Sequence, residues 1–457
     1  MQASHAPAAV SASFDDPNLI ACAGLEPVMA LAEACGLAGL VAGKVSVPSP
    51  NARLKVPALV AGMVAGADSI DDMDLLRHGG MHRVFDGVRA PSTLGTFVRA
   101  FTFGHVRQLD SVAAGLLVEL AQRSPLLPAA DQITFVDIDD TIRGTHGYTK
   151  QGAGYGYSKV KGLNALIATA STPAAAPVII ASRLRRGSTN SARGAARLVA
   201  DALATARRCG AGGLVILRAD SAYYNQAVIA AAQRAGARFS VTARMNPAVR
   251  RAIAAIAEDA WTPIHYPNAL WDEDEQRLVS DAEVAEIEFT AFGSRRKSEH
   301  IDGRLIVRRV KRLNPASVPA DQQALFGTYR HHAVFTDSPM SMLEAEADHR
   351  QHAVIEQVNA DLKSGALAHF PSSSFAANSA WLVLATMAFN LTRAAGTLAS
   401  GFHARATGAT IRRQLITVPA RIATSARRIR LHLPAAWPWH EDWQQLFDVL
   451  HRPPRAA

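Results

Sequence analysis

Carboxylates suited to binding a divalent metal ion follow two apolar runs of this sequence. Asp137 and Asp139 lie two positions apart in the β-branched run 133–140, so a strand would project both from one face. Asp220 closely follows the apolar run 214–217. Oxygen ligands suit Mg²⁺, and a pair of such ions stabilises the attacking and leaving oxygens when a phosphodiester is cut or joined. These residues therefore favour metal-assisted phosphoryl transfer.

A third group of polar side chains occurs much later in the chain. His349, His352, Glu356 and Lys363 follow one another at spacings of three, four and seven residues. They therefore share one face of the helix predicted over 340–363. Such a face offers a carboxylate for a metal ion, imidazoles for phosphate binding or proton handling, and an ammonium group for a DNA phosphate. This combination also suits phosphoryl transfer.

Each of these residues has a simpler interpretation. Asp220 could cap the helix that follows it, which is a frequent role of Asp at a strand-to-helix junction. Glu356 could be an ordinary exposed helix glutamate, and each histidine taken singly is typical of a surface position. Asp137 and Asp139 are harder to explain without a ligand, because neighbouring carboxylates repel each other unless a cation neutralises them. The sequence leaves these alternatives open.

The elements that must bring these residues together lie between residues 129 and 246. Their predicted order is three strands, a helix, a strand, a helix and a strand. Strands that alternate with helices imply an α/β fold with crossover connections. A right-handed crossover after three strands allows the fourth strand to dock parallel beside the first. Adjacent strands are about 4.8 Å apart, so Asp139 and Asp220 would be able to share a cation.

The remaining segments are predicted to surround this mixed sheet. Residues 1–128 are interpreted as a helical DNA-binding region and residues 247–338 as a β-rich insertion. Residues 339–400 hold the Glu356 helix and an uncharged stretch, 372–392, whose Ser and Asn residues favour a buried helix over a membrane span. Residues 401–457 are predicted to form a basic helical tail. We expect a cytoplasmic protein without membrane association.

The charge distribution indicates a polyanionic partner. Lys and Arg outnumber Asp and Glu by 48 to 39, which gives a formal net charge of +9. No Asp or Glu occurs between Lys363 and His440, a stretch that contains Arg393, Arg412 and Arg413. A long stretch of one charge sign favours binding to an anion such as DNA, with a solvated basic tail as the alternative. The three cysteines form no CxxC pair, which fits a reducing cytoplasm.

With these segments together, the chain resembles the DDE transposases of bacterial insertion sequences. The matching segments are 136–141, 217–221 and 355–363, and the similarity covers roughly residues 80–450. Within that family, the chain is similar to the cut-and-paste group in which a strand-rich insertion separates the second Asp from the Glu. The resemblance implies an RNase H-like mixed sheet flanked by helices and interrupted by the β-rich insertion.

The resemblance also implies roles for the carboxylates. Asp139, Asp220 and Glu356 would be the catalytic and metal-binding residues, with Mg²⁺ as the cofactor and Mn²⁺ as a substitute. Asp137 competes with Asp139 for the first position, because both fit the short DxDxT-like stretch of the family. Lys363 matches the lysine with which the family contacts DNA near the cleavage site.

The resemblance further implies double-stranded DNA as the partner. Two protomers would pair the terminal inverted repeats, cleave the strands and join them to target DNA. His349 and His352 stand where related enzymes often carry Tyr and Arg, and we expect them to contact DNA together with Arg393, Arg412 and Arg413. The alternatives are an RNase H-like nuclease that cuts without joining, and a catalytically idle, domesticated DNA-binding protein.

Overall fold

The structure is a computed structural model that describes residues 11–145, 149–264, 271–272, 277–278, 282–311, 329–426 and 428–451. The described helices are α1 Leu25–Ala34, α2 Leu37–Lys44, α3 Ala52–Ala65, α4 Met81–Val84, α5 Pro91–Arg99, α6 Phe103–Arg123, α7 Ala195–Arg208, α8 Gln226–Arg234, α9 Pro247–Ala254, α10 Met342–Arg350, α11 Val354–Lys363, α12 Phe375–Ala399, α13 Gly401–Arg405, α14 Gly408–Ile411 and α15 His440–His451. The described strands are β1 Leu19–Ile20, β2 Ile133–Gly144, β3 Gly154–Tyr155, β4 Lys161–Thr172, β5 Ala175–Arg186, β6 Leu214–Ala219, β7 Arg238–Thr242, β8 Thr262–Ile264, β9 Trp271–Asp272, β10 Arg277–Leu278, β11 Ala282–Ala291, β12 Ile301–Lys311, β13 Tyr329–Thr336, β14 Ala420–Ser425 and β15 Arg428–His432.

A large mixed sheet forms the centre of the fold. Its strand order is β3-β4-β2-β6-β7-β13-β12-β11-β8, with β5 also paired to β4. Strands β2, β6 and β7 are parallel, whereas β2, β4 and β5 pair antiparallel. The element order β2, β4, β5, α7, β6, α8, β7 is the predicted one, and β6 docks parallel beside β2. The prediction of a mixed α/β sheet flanked by helices is confirmed.

The two faces of β2 point to different helices because side chains alternate along a strand. Val136 and Ile138 are fully buried, and on their side α7 contacts β2, β4 and β5. Asp137 and Asp139 project from the opposite face, where α11 contacts β2. The alternation of apolar and acidic residues in this run therefore places both carboxylates beneath α11.

The strands of the predicted insertion extend the same sheet. β13 pairs antiparallel with β7, and β12 and β11 follow it outward. The chain thus leaves the sheet after β7, adds further strands at its edge, and returns to the first part of the sheet through α10 and α11. The strands β7 and β13 are far apart in the sequence, so the local sequence pattern does not reveal that they pair.

Helices of the N-terminal region and α12 pack together and against β5. α12 contacts α3, α6 and β5, and Trp381 on this helix is fully buried. Among the described helices, α12 alone is long and apolar enough by itself to span a membrane, and α1 with α2 passes only as a pair bent by 51°. The most apolar window of α12 is 89% buried inside the protein, as in the core helix predicted for 372–392.

The helix predicted over 340–363 is broken. α10 ends at Arg350, a 3₁₀ turn spans Gln351–Ala353, and α11 begins at Val354. Side chains three residues apart are eclipsed in a 3₁₀ turn, and the rings of His349 and His352 stack with their centroids 6.3 Å apart. The two histidines therefore lie side by side, and they differ in their hydrogen-bond partners, which are β7 for His349 and Asp137 for His352.

The C-terminal region differs from the predicted helical tail. The strands β14 and β15 pair as a hairpin, and β14 also pairs with β1 near the N-terminus. α15 follows and contacts α1 and α12. The expectation of a helical tail is corrected, because the hairpin is completed by a strand about 400 positions earlier in the chain. The C-terminal region is thus packed onto the N-terminal helices.

Candidate active site

Asp139 and Asp220 are neighbours at the carboxyl edge of the parallel strands β2 and β6. Asp137 lies opposite Arg218 and Ile138 opposite Ala219, so the next position on each strand brings Asp139 beside Asp220. Adjacent strands are about 4.8 Å apart. Asp220 is solvent-accessible, and its side chain accepts a hydrogen bond from the amide of Ala222 (2.9 Å). Asp220 therefore caps a short 3₁₀ turn and also faces Asp139.

The two carboxylates occupy an environment that resists negative charge. Burial, aided by the charges of Asp140 and Asp220, raises the pKa of Asp139 to about 6. Burial and the charge of Asp140 also raise the pKa of Asp220. His352 lies close enough to lower both pKa values in part. A bound cation would stabilise acidic groups crowded in this way.

The carboxylate of Asp137 forms hydrogen bonds with two other side chains of the site. Its side chain is fully buried. Arg218 donates from Nε to Oδ1 and from a terminal nitrogen to Oδ2 of this carboxylate, and both hydrogen bonds are 2.7 Å long. His352 Nδ1 donates to the same carboxylate at 2.9 Å. Burial acts to raise the pKa of Asp137, but Arg218 and His352 outweigh it and the pKa is lowered. Asp137 therefore neutralises Arg218, and Asp139 is the available carboxylate of the pair.

The helix α11 covers this edge of the sheet. His352, Glu356 and Asn359 are four and three residues apart, so they lie along one side of the chain segment that includes α11. His352 reaches Asp137, and Asn359 donates from Nδ2 to Oδ2 of Asp139 at 2.9 Å. Glu356 lies between them in sequence and is exposed. This side of the helix therefore adjoins the carboxylates of β2.

Asn359 was not among the predicted site residues. It is 6% exposed, and its Oδ1 atom is buried without a hydrogen-bond partner in the described part of the chain. An unpaired buried carbonyl oxygen is unfavourable, and such groups are commonly satisfied by water or an ion. The sequence did contain a signal, because Asn359 follows Glu356 by three residues on the same helix face.

The side chains at this edge carry oxygen atoms that suit a divalent cation, but they do not surround a position for one. In the ranges that the structure describes, no three His, Cys, Asp or Glu side chains lie close enough together to hold a metal ion. The expectation that Glu356 closes the site with Asp139 and Asp220 is therefore not met by these side-chain positions. The crowded carboxylates and the unpaired oxygen of Asn359 are nevertheless hard oxygen donors of the kind that Mg²⁺ and Mn²⁺ bind.

Asp140 organises the opposite face of β2. Its carboxylate accepts hydrogen bonds from Arg185 (2.5 Å), Ser191 (3.0 Å) and Tyr223 (3.1 Å), and also from the side-chain amide of Asn164. Tyr223 lies in the turn that Asp220 caps. The bond from Tyr223 to Asp140 therefore ties the segment that carries Asp220 to the strand that carries Asp139. None of these residues was predicted, because their partners are far apart in the sequence.

Two predicted DNA contacts lie in the interior and are corrected. His349 is 9% exposed and bonds to Ser240 and Thr242 of β7, both at 2.9 Å, and burial lowers its pKa to about 3. Arg393 is 6% exposed and donates to the backbone carbonyl of Ala406 at 2.6 Å. Both side chains satisfy buried polar groups, so neither offers a surface to DNA.

The other predicted DNA contacts remain accessible to different degrees. Arg413 is exposed and Lys363 is partly buried in the last turn of α11. Arg412 is partly buried, and its Nε donates to the carbonyl of Val64 at 3.3 Å. His352 is partly buried beside Asp137. DNA contact by these four residues stays a prediction.

Replacing Asn359 with alanine is expected to weaken divalent-ion binding. The variant loses the hydrogen bond that orients Asp139 and the unpaired Oδ1 oxygen. Loss of a group that orients a metal ligand typically weakens metal affinity by about 10–100-fold. Titration of the purified protein with Mn²⁺ measures this change. Gln357→Ala on the exposed side of α11 is the matched control, and an equal effect of both variants would contradict a specific role for Asn359.

Comparison with known proteins adds a family assignment to this geometry. The family described as transposase DDE domain group 1 matches residues 55–455 of the chain. No curated protein matches it. Among solved structures, the chain is similar to a piggyBac transposase in a cryo-EM structure of its synaptic complex with hairpin DNA. That similarity has a TM-score of 0.41 at 11% sequence identity, and it covers 88% of this chain and 79% of that chain.

Proposed function

Because this chain belongs to the transposase DDE domain group 1 family, we propose that it is the DNA transposase of a bacterial insertion sequence. It cleaves DNA strands at the terminal inverted repeats and transfers them to target DNA. The observation that carries this proposal is the pairing of β2 with β6, which brings Asp139 and Asp220 together at one edge of the sheet. The Glu356 helix packs over the same edge.

The strand order supports an RNase H-like core. The first five long strands of the core lie in the spatial order β5-β4-β2-β6-β7, with the second strand antiparallel to the first and the fourth parallel to it. We infer that this unit is the RNase H-like domain expected of DDE transposases. The strands β11 to β13 then correspond to the insertion between the second Asp and the Glu.

The proposed mechanism assigns separate roles to the residues of the site. Mg²⁺ or Mn²⁺, when bound, supplies Lewis-acid stabilisation of the oxygens that attack and leave phosphorus. Asp139 and Asp220 would hold the ions, and Glu356 would complete the ligand set from α11. Asn359 orients Asp139, and the Arg218–Asp137–His352 contacts hold α11 against the sheet. The enzyme's main contributions are positioning and charge neutralisation.

DNA is the proposed partner of the basic surfaces of the chain. Lys363 follows Asn359 by four residues on α11 and is placed to contact a backbone phosphate near the carboxylates. The N-terminal helical region and the C-terminal region are proposed to bind the inverted repeats, with two protomers pairing the ends. The protein would act in the bacterial cytoplasm, associated with the nucleoid while bound.

Asp220→Ala tests the proposal, because the residue contributes little to folding beyond one cap of a short turn. We expect loss of strand cleavage with retained binding to terminal-repeat duplex. The measurement is a gel assay with Mg²⁺ and a labelled terminal repeat, and exposed Asp259→Ala is the control. Cleavage by Asp220→Ala at the wild-type rate would contradict the assignment.

The same assay separates the alternative functions. A transposase joins the cleaved strand to target DNA, whereas an RNase H-like nuclease cuts without joining. A catalytically idle DNA-binding protein binds the duplex and leaves it intact. Joining by the wild-type protein is the expected result.

A further inference from the structure

A basic hairpin projects from the small sheet formed by β1, β14 and β15. β14 pairs antiparallel with β15 from Arg421 opposite His432 to Ser425 opposite Arg428. β1 pairs only with Ala420 and Arg421, at the base of this hairpin. Beyond its base the hairpin is therefore a two-stranded ribbon.

The two faces of the ribbon have opposite character because side chains alternate along each strand. Ile422 is 3% exposed and Leu431 packs against the core, so one face docks onto the protein near the base of the ribbon, while Thr424 and Ile429 farther along the same face are exposed. The other face carries the cross-strand pairs Arg421 with His432, Ala423 with Arg430, and Ser425 with Arg428. The three arginines and His432 are exposed. We refer to this second face as the basic ribbon face.

The charge of the basic ribbon face is largely uncompensated. Arg421 forms an ion pair with Asp16 at 3.1 Å. Arg428 and Arg430 have no ion-pair partner within the ranges that the structure describes. No Asp or Glu occurs from residue 364 to residue 440, so the ribbon itself contains no acidic side chain. The strand pair thus presents positive charge to solvent.

We propose that the basic ribbon face binds duplex DNA by entering the major groove, which admits a two-stranded β-ribbon. Arg428 and Arg430 lie two positions apart on β15, so they leave the strand about 7 Å apart on the same side. Guanidinium groups form bidentate hydrogen bonds with phosphates and guanine edges. The basic ribbon face has no large apolar side chain of the kind that a membrane-binding surface uses.

This inference rests on the proposed function for its substrate, duplex DNA. It assigns the anchoring of that DNA to a sheet separate from the one that carries the carboxylates. Cleavage depends on Asp139 and Asp220, whereas anchoring depends on the ribbon. An experiment can therefore contradict DNA anchoring by the ribbon without contradicting cleavage by the carboxylates, and the reverse also holds.

The test is the double variant Arg428→Ala/Arg430→Ala of the full chain, with binding measured by fluorescence anisotropy. The probe is a labelled mixed-sequence duplex, titrated over a series of salt concentrations. We expect affinity to fall by at least about tenfold. The slope of log affinity against log salt should decrease by about 1.8, since each phosphate contact contributes about 0.9. Arg428→Lys/Arg430→Lys keeps the charge and should retain most of the slope.

The control variant removes the same charge elsewhere. Arg208 and Arg234 are exposed at the ends of α7 and α8, at the amino-terminal edge of β6 and β7. Arg208→Ala/Arg234→Ala should bind the duplex as the wild type does. Thermal unfolding of all variants checks that each is folded, which is expected because these side chains are exposed.

Two results would overturn the ribbon assignment. One is wild-type affinity and salt slope in Arg428→Ala/Arg430→Ala, while the wild-type protein still cleaves DNA. The other is an equal loss in the Arg208→Ala/Arg234→Ala control, which would indicate a general effect of net charge. A wild-type protein that neither binds the duplex nor cleaves it would contradict the proposed function as well.

Discussion

Asp139→Asn is expected to abolish strand cleavage and, in the absence of divalent ions, to make the protein more stable at neutral pH. The amide cannot serve as a charged metal ligand, so we expect cleavage to fall by at least about a thousandfold. The gain in stability follows from the crowding of negative charge around Asp139. An Asn at this position keeps a similar shape and removes that charge.

The sign of the stability effect follows from the pKa of Asp139. In the folded protein this pKa is raised from 3.8 to about 6, chiefly by burial. The folded protein therefore binds the proton more tightly than the unfolded chain, and its stability falls as pH rises from about 4 to about 6. Above that range the ionised carboxylate lowers the free energy of unfolding by about 3 kcal/mol, which Asp139→Asn restores.

Urea unfolding without divalent ions measures this effect. The difference between Asp139→Asn and the wild type should be largest at pH 8 and should shrink as the pH falls towards 4. Adding Mg²⁺ should stabilise the wild type and leave the variant unchanged. Asp131→Asn, at an exposed position just before β2, is the control. A variant less stable than the wild type at pH 8 would contradict the argument.

Arg218→Met is expected to have the largest effect on folding. Arg218 is 2% exposed and forms two 2.7 Å hydrogen bonds with the fully buried Asp137, and it donates to the carbonyl of Asp348 at 2.6 Å. Methionine fills a similar volume and leaves Asp137 buried with His352 as its remaining partner. Removing one partner of a buried pair destabilises a protein by about 3–5 kcal/mol.

The double variant Arg218→Met/Asp137→Leu should recover much of this loss, because an apolar pair needs no charge compensation. Urea unfolding of both single variants and the double variant completes the cycle. The exposed pair Arg197–Asp201 provides the comparison, and Arg197→Met should change the free energy of unfolding by less than about 1 kcal/mol. Similar small effects at Arg218 and Arg197 would contradict a structural role for the Arg218–Asp137 pair.

The pairing of β2 with β6 could be predicted because it depends on local patterns and on a general rule of chain handedness. Apolar runs define both strands, and the right-handed crossover places the fourth strand beside the first. The same patterns do not distinguish Asp137 from Asp139 as the first catalytic carboxylate. The choice depends on Arg218, whose position opposite Asp137 follows from the register of the two strands. Register between distant strands is not visible in either strand alone.

The prediction that His349 contacts DNA is wrong, because its side chain is buried. The predicted proximity of His349 and His352 is met, because the two rings stack across the 3₁₀ turn Gln351–Ala353 although the helix is broken there. His349 bonds to β7. The prediction that Arg393 contacts DNA is likewise wrong, because its side chain is buried. Its partners, the backbone carbonyls near Ala406 and the carboxylate of Asp361, become neighbours only after folding.

The ribbon β14–β15 was missed because its strands are short and rich in arginine. A β-hairpin of this size is marginal alone, and here it is completed by β1 and by packing of Ile422 on the core. The helical composition of the surrounding region favoured a helix. The basic character of the tail was correctly read from the sequence, whereas the surface that presents it depends on long-range pairing.

The location of bound Mn²⁺ tests the central claim most directly. A crystal of the protein with terminal-repeat DNA and Mn²⁺, measured by anomalous scattering, identifies the metal and its ligands. We expect Mn²⁺ between Asp139 and Asp220, with a Glu356 oxygen drawn in to about 2.2 Å and Asn359 adjoining the site. Mn²⁺ bound elsewhere, or a Glu356 side chain that remains in solvent when the metal and DNA are present, would contradict the account.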